Sequence, residues 1–178
     1  MKRTVIVFGL ISGAIVSLMM VINTAFVDKI GFDKSEIVGY TSIVLSCLFV
    51  FFGVRSYRDN VNGGTITFGR ALTTGLLIAL ISSICYVVSW EFVYYNFMDG
   101  FMDKYAAYAV EKVKASGGGA DAIQTTMEQM NQFKKLYQNP FFNVALTFIE
   151  PFPIGVIAAL ISAAALKRPA NRQTRSAE

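Results

Sequence analysis

Apolar positions along this chain gather into four long runs, at about residues 5–26, 37–54, 68–95 and 141–166, separated by shorter polar stretches. Crossing about 30 Å of bilayer hydrocarbon takes roughly 17–25 apolar residues in a helix, and every run meets that length. Backbone amides in lipid have to bond within their own segment, so such runs form helices rather than open strands. The expected fold class is all-α, a single polytopic membrane domain of four transmembrane helices in two hairpins. The first run follows Lys2 and Arg3 as a signal peptide would. Its apolar core is longer than the roughly 7–15 residues of a signal sequence, and Asn23-Thr24-Ala25 makes a poor cleavage site, so a retained anchor is expected.

Between the third and fourth runs, residues 98–140 turn polar, which is too long for a structureless loop in a compact domain. Met102, Tyr105, Ala109 and Val113 recur at helical spacing before Ser116-Gly117-Gly118-Gly119, and Ile123, Met127, Met130, Phe133 and Tyr137 do so after it. Asp121 with Gln124 three residues on matches a capping box. These signals predict an extracytoplasmic helical hairpin that extends helix three and returns to helix four. Its apolar stripe must bury against its other arm, the membrane surface, a protein partner or a second copy of the chain. Met98, Met102, Met127 and Met130 offer thioethers to Cu(I), but they coincide with the stripes and are expected to pack.

Composition agrees with a membrane setting. The chain is 54% hydrophobic and 16% charged, with mean hydropathy +0.49, where a soluble domain carries about 25% charged residues. The 178 residues include no histidine, which removes Ser-His-Asp and Cys-His catalysis and His-held metal or haem. Cys47 and Cys85 lie inside apolar runs, at about 12 and 22 Å from the Arg-rich elbow at 1.5 Å per helical residue, and are expected to pack rather than pair. Without a nucleophile and base, a phosphate loop or metal-ligand spacing, the chain is expected not to be an enzyme and to need no cofactor or metal. The net charge of +4 comes from cations at the ends of apolar runs, with no continuous basic face for nucleic acid.

Those cations set the expected orientation. With both termini cytoplasmic, the inner face receives Lys2, Arg3, Arg55, Arg58, Arg70, Lys167, Arg168, Arg172 and Arg175, which include every arginine. The outer segments keep scattered lysines among acids, so the positive-inside rule gives N-in and C-in, with a cytoplasmic tail over 167–178. Trp90, Tyr94 and Tyr95 then fall where an interfacial aromatic belt is expected. Arg55, Arg58 and Arg70 surround an Asn62-Gly63-Gly64 turn, a cytoplasmic elbow whose cations mark topology and meet lipid headgroups; Thr67 is placed to cap the next helix. A basic elbow with free amides is also a place for a phosphate ligand.

Glu150 is the most informative residue. It stands about ten residues into the fourth run, within Phe148-Ile149-Glu150-Pro151-Phe152-Pro153. A carboxylate there costs roughly 2.5 kcal/mol or more unless it faces a partner or a wet cavity. The two prolines break the helix locally and free carbonyls. Glu91 lies in the same outer half, so the pair are candidate intramembrane carboxylates that share a proton or cation. The alternative is that each bonds a Tyr or Asn on a neighbour, such as Asn23, or that Glu91 reaches water. Gly9, Gly13 and Ser17, and Ala71, Gly75, Ala79 and Ser82/Ser83, make small-residue faces for close helix contact.

Gly53-Val54-Arg55-Ser56-Tyr57-Arg58-Asp59, the Gly63-Gly64 turn, Phe68-Gly69-Arg70-Ala71-Leu72 and Gly75 together resemble a family of uncharacterised bacterial inner-membrane proteins known only as a domain of unknown function. The resemblance covers nearly the whole chain and implies four helices in a bacterial inner membrane, with no activity or site residue to carry over. The first expectation for function is a non-enzymatic structural or partner-binding membrane component. The second is a small transporter or channel component that uses Glu150 for protons or cations.

Overall fold

The computed structural model describes residues 1–168; the tail beyond them, with Arg172 and Arg175, lies outside the described residues. Seven helices follow in order: α1 Lys2–Ile30, α2 Phe32–Asn60, α3 Phe68–Phe97, α4 Phe101–Ala115, α5 Ala120–Tyr137, α6 Pro140–Ile149 and α7 Pro151–Leu166. α1, α2, α3 and the α6–α7 pair are long and apolar enough to cross a membrane. Among the described residues there is no strand, and a lone antiparallel bridge ties Ile66 to Arg168 through N–H···O contacts of 2.9 and 2.8 Å.

Helices α1 and α2 form one antiparallel hairpin, and α3 with α7 forms the other. The hairpins lie side by side, α1 along α3 and α2 along α7, and α3 touches all three other spanning units. The small residues explain the close approach. A Cβ on Gly13 would fall 2.6 Å from Cys85 Cβ, and one on Gly9 would fall 2.8 Å from Ile81 Cβ, so both glycines seat α1 against α3. The other face of α3 meets α7 through reciprocal notches. Gly75 receives Ala159, and Gly155 receives Ala79, at 2.8 and 2.7 Å from the missing Cβ. Gly155 and Ala159 carry half of this seam, although the sequence reading drew no small-residue face on helix four. Ser12 Oγ donates to the Ser46 carbonyl at 3.0 Å and sits 3.0 Å from Ser82 Oγ, linking α1, α2 and α3 in the buried core. Both cysteines are free, and Cys85 packs on Gly13.

Three boundaries differ from expectation. The predicted polar loop between helices one and two is helical up to a single hinge, Gly31, at φ 82° and ψ 158°. Hydropathy marks where lipid ends, whereas Asp28, Lys29, Asp33 and Lys34 continue their helices beyond it. α4 is no extension of α3: Met98-Asp99-Gly100 interrupts them, with Gly100 left-handed at φ 71°. The capping box is also absent. Gly119 caps α5, Asp121 already lies in its first turn without capping, and Gln124 donates instead to Glu128 at 3.1 Å. Gly117 turns the chain at φ 80°, and α5 starts two residues sooner than a cap at Asp121 would set.

The elbow agrees with its sequence. Gly63 and Gly64 have φ of 62° and 77°, and Thr67 Oγ1 accepts from the Arg70 N–H at 3.4 Å. Val54, Tyr57, Ile66, Ala71, Ala163 and Leu166 fill the core beneath it.

Candidate functional site

Glu150 stands between α6 and α7, about 25 Å along the helix from Lys167. Pro151 and Pro153 lack the N–H groups that would reach the carbonyls of Thr147 and Ile149, so helical bonding lapses at Glu150. The break changes neighbours. α7 packs on α2 and α3, whereas α6 packs on α3 and α5. A cavity of about 300 Å³ lies where α6 parts from α2, walled by α1, α2, α3 and α6 and covered by α4 and α5.

Glu150 lines this cavity with an exposed side chain, and its Oε2 accepts a 3.1 Å hydrogen bond from the Tyr86 hydroxyl. Opposite it, α2 supplies Glu36 and Tyr40; Glu36 is exposed and Tyr40 is 50% exposed, so the space is open on that flank. Tyr40 follows Glu36 by one helical turn, on the same face of α2. Counted from Arg55, Glu36 is about 28 Å up α2, level with Glu150.

Glu91 is not brought to Glu150. Tyr86 and Trp90, one helical turn apart, face the cavity, and Glu91 is rotated about 100° away from Trp90 with a buried, unpartnered Oε1. Glu150 has a tyrosine partner as the alternative foresaw, while Asn23 turns its amide nitrogen to the Ser35 carbonyl at 2.9 Å. Glu36 is the acid that sequence reading missed. Its signal was its spacing from Tyr40 and Ile43, which puts all three on one face of α2.

The expected aromatic belt is only partly at the surface. Tyr95 is 54% exposed, but Trp90 points inward, where Nε1 donates to Tyr137 at 2.9 Å and to Asn143 Oδ1 at 3.3 Å. Burial pushes the Tyr137 hydroxyl pKa up, which keeps it protonated in this network. Phe32, beside the Gly31 hinge, inserts among Phe101, Tyr105 and Tyr108 at centroid distances of 5.0–6.1 Å. Asp28 pairs with Lys104 at 2.9 Å, and Asp33 with Lys112 at 2.8 Å and with the Tyr108 hydroxyl, so α4 is strapped over the α1–α2 corner. The Asp33 bond, then Tyr108, holds the Lys112 ammonium above its ordinary pKa. Lys134 pairs with Asp103 to join the two covering helices. Among the methionines, Met102 is buried and Met98 lines the cavity, whereas Met127 is 51% exposed.

At the elbow the arginines are already engaged. Arg58 makes two hydrogen bonds to Asp59, at 2.6 and 3.1 Å, Arg55 lies 3.6 Å from the same carboxylate, and Arg70 donates to Asn62 Oδ1 at 3.2 Å. Asp59 offsets the charge a phosphate would seek, and the cavity at Glu150 does not reach these residues.

The chemistry the geometry offers is therefore binding of positive charge by carboxylates at the far end of the bundle. No curated protein and no solved structure matches this chain. A family model does, across residues 7–168, which take in all four spanning units, the elbow and both cavity acids; the chain belongs to the family described as Protein of unknown function (DUF4199).

Proposed function

We propose that this chain is a non-enzymatic component of a bacterial inner membrane, with both termini cytoplasmic, whose outward-facing cavity takes up a proton or a cation at Glu150. The orientation follows from the placement of every arginine at the elbow and termini, and the α4–α5 hairpin is then outside. The observation that carries the reading is the cavity that reaches Glu150 and lies open beside Glu36 at the outer end of α2, because an intramembrane carboxylate is tolerated where it lines a cavity rather than lipid, and there it can exchange a proton or a cation. Glu36 raises the negative potential there, and Tyr86 positions the Glu150 carboxylate. A purely structural or partner-binding role through the hairpin is the less favoured reading, since much of the hairpin's apolar stripe is spent covering this cavity. In that role no free cavity acid would be needed.

Dicyclohexylcarbodiimide, which modifies protonated carboxyl groups in apolar surroundings, tests the proposal on the whole protein in detergent or nanodiscs. The expected result is modification of Glu150 by peptide mass spectrometry, slowed by added sodium, potassium or an organic cation and lost in Glu150→Gln. No reaction at Glu150, or a reaction there that neither raised pH nor any added cation slows, would overturn the proposal.

A further inference from the structure

The walls of the cavity identify its ligand more closely than its depth does. Nine of the twenty-three lining residues are aromatic, against 13% of the chain. Tyr40, Tyr86, Trp90, Tyr105 and Phe133 reach it from four different helices, so rings bound it on several sides. Aromatic faces carry the negative part of a quadrupole and attract a cation within about 6 Å of the ring centre.

The charged groups have the matching sign. Glu36 and Glu150 line the cavity, and no lysine or arginine is among the described residues that do. Asn23 adds a third acceptor: its amide nitrogen is spent on Ser35, which leaves Oδ1 buried and without a partner at the cavity wall. Size narrows the choice. A volume of about 300 Å³ stands at the lower end of small-molecule pockets, roughly 300–1,000 Å³. A hard divalent metal takes a cage of six or more oxygens, and no three His, Cys, Asp or Glu side chains converge for one among the described residues. Rings do not supply such ligands, but they suit a weakly hydrated ammonium on an apolar body.

We propose that this cavity binds an organic cation, with an ammonium-type head at the level of Glu36 and Glu150 and an apolar body against the ring-lined wall that includes Trp90. This rests on the preceding proposal that the cavity takes up positive charge, and it assigns the chemical class. Two sources share that chemistry: a free amine or quaternary ammonium compound, and the ammonium of a lipid headgroup.

The chain contains one tryptophan, Trp90, and it lines the cavity, so its fluorescence is a built-in reporter. The intact protein is titrated in phosphatidylglycerol nanodiscs with phenyltrimethylammonium and with benzenesulfonate, which has similar size and opposite charge. The expected result is a saturable change with the cation, binding at least about ten-fold tighter than the anion, and a further loss of about ten-fold in Glu36→Gln. Circular dichroism checks that this variant keeps its helices, and the cation–anion comparison needs no variant. Displacement of the probe by phosphatidylethanolamine in the disc assigns the site to a headgroup, and its absence to a free cation; both accord with the proposal. Equal response to both probes, or no saturable response to phenyltrimethylammonium, overturns it. In that event sodium that still protects Glu150 from carbodiimide preserves the broader function, and loss of all protection ends both.

Discussion

The seam between α3 and α7 makes a quantitative prediction at Gly155. A Cβ built there lies 2.7 Å from Ala79 Cβ and 3.7 Å from Ala79 Cα, with nothing else crowding it. Carbon atoms pack best at about 3.5–4.0 Å, so Gly155→Ala requires α7 to retreat by about 1 Å or the backbone to bend. Overpacking of this kind costs about 1–3 kcal/mol, and the shift is felt five residues away at Glu150, where the Tyr86 hydrogen bond of 3.1 Å has little length to spare. Exchanging the notch tests the geometry directly. In Gly155→Ala with Ala79→Gly the nearest contact becomes the ordinary 3.7 Å separation, and stability returns to within about 1 kcal/mol of the original, the cost of glycine inside a helix. The assay is reversible unfolding in mixed detergent and sodium dodecyl sulfate micelles, followed by circular dichroism. A single variant as stable as the parent, or a double variant no better than the single, would refute the interlocking of these two helices.

The remaining expectations concern the hinge, the core serine and the strap. Gly31→Ala forces a side chain into a backbone region open almost only to glycine and lowers stability by about 1–3 kcal/mol in the same unfolding assay. Ser12→Ala removes the hydroxyl that joins Ser46 and Ser82 and lowers stability by about 1 kcal/mol, whereas Thr41→Val, at an exposed serine-like bond within one helix, leaves it nearly unchanged. Lys112→Met unfastens α4 without altering global unfolding, because the pair is exposed; hydrogen exchange in α4 rises several-fold while α1–α3 are unaffected. Since Lys112 has a raised pKa, its part in the strap is complete at neutral pH and fades only as alkaline pH passes that value, which the same exchange measurement follows.

The four spans, the elbow turn and the break at Glu150 were legible because each depends on neighbours in sequence. Hydropathy is summed along a window, a turn needs glycines at fixed places, and proline removes a donor wherever it stands in a helix. Helix ends outside the lipid were less legible, as the helical residues on both sides of Gly31 show: polar residues neither require nor forbid a helix. The site was half legible. Glu150 stood out because charge in an apolar run is conspicuous, but Glu36, just outside its run, looked like an ordinary boundary acid.

Rotation and neighbourhood separate the two kinds of knowledge. Composition and periodicity settle that helices form and how many cross, since burying backbone amides in hydrocarbon leaves no other solution. Which acid faces which ring depends on the angle at which each helix meets the next, and Trp90 and Glu91, adjacent in the chain, diverge by about 100° for that reason. Only the tertiary packing, with close glycine contacts on α1, α2, α3 and α7, brings Glu36, Tyr86 and Glu150 to one cavity and leaves Glu91 outside it.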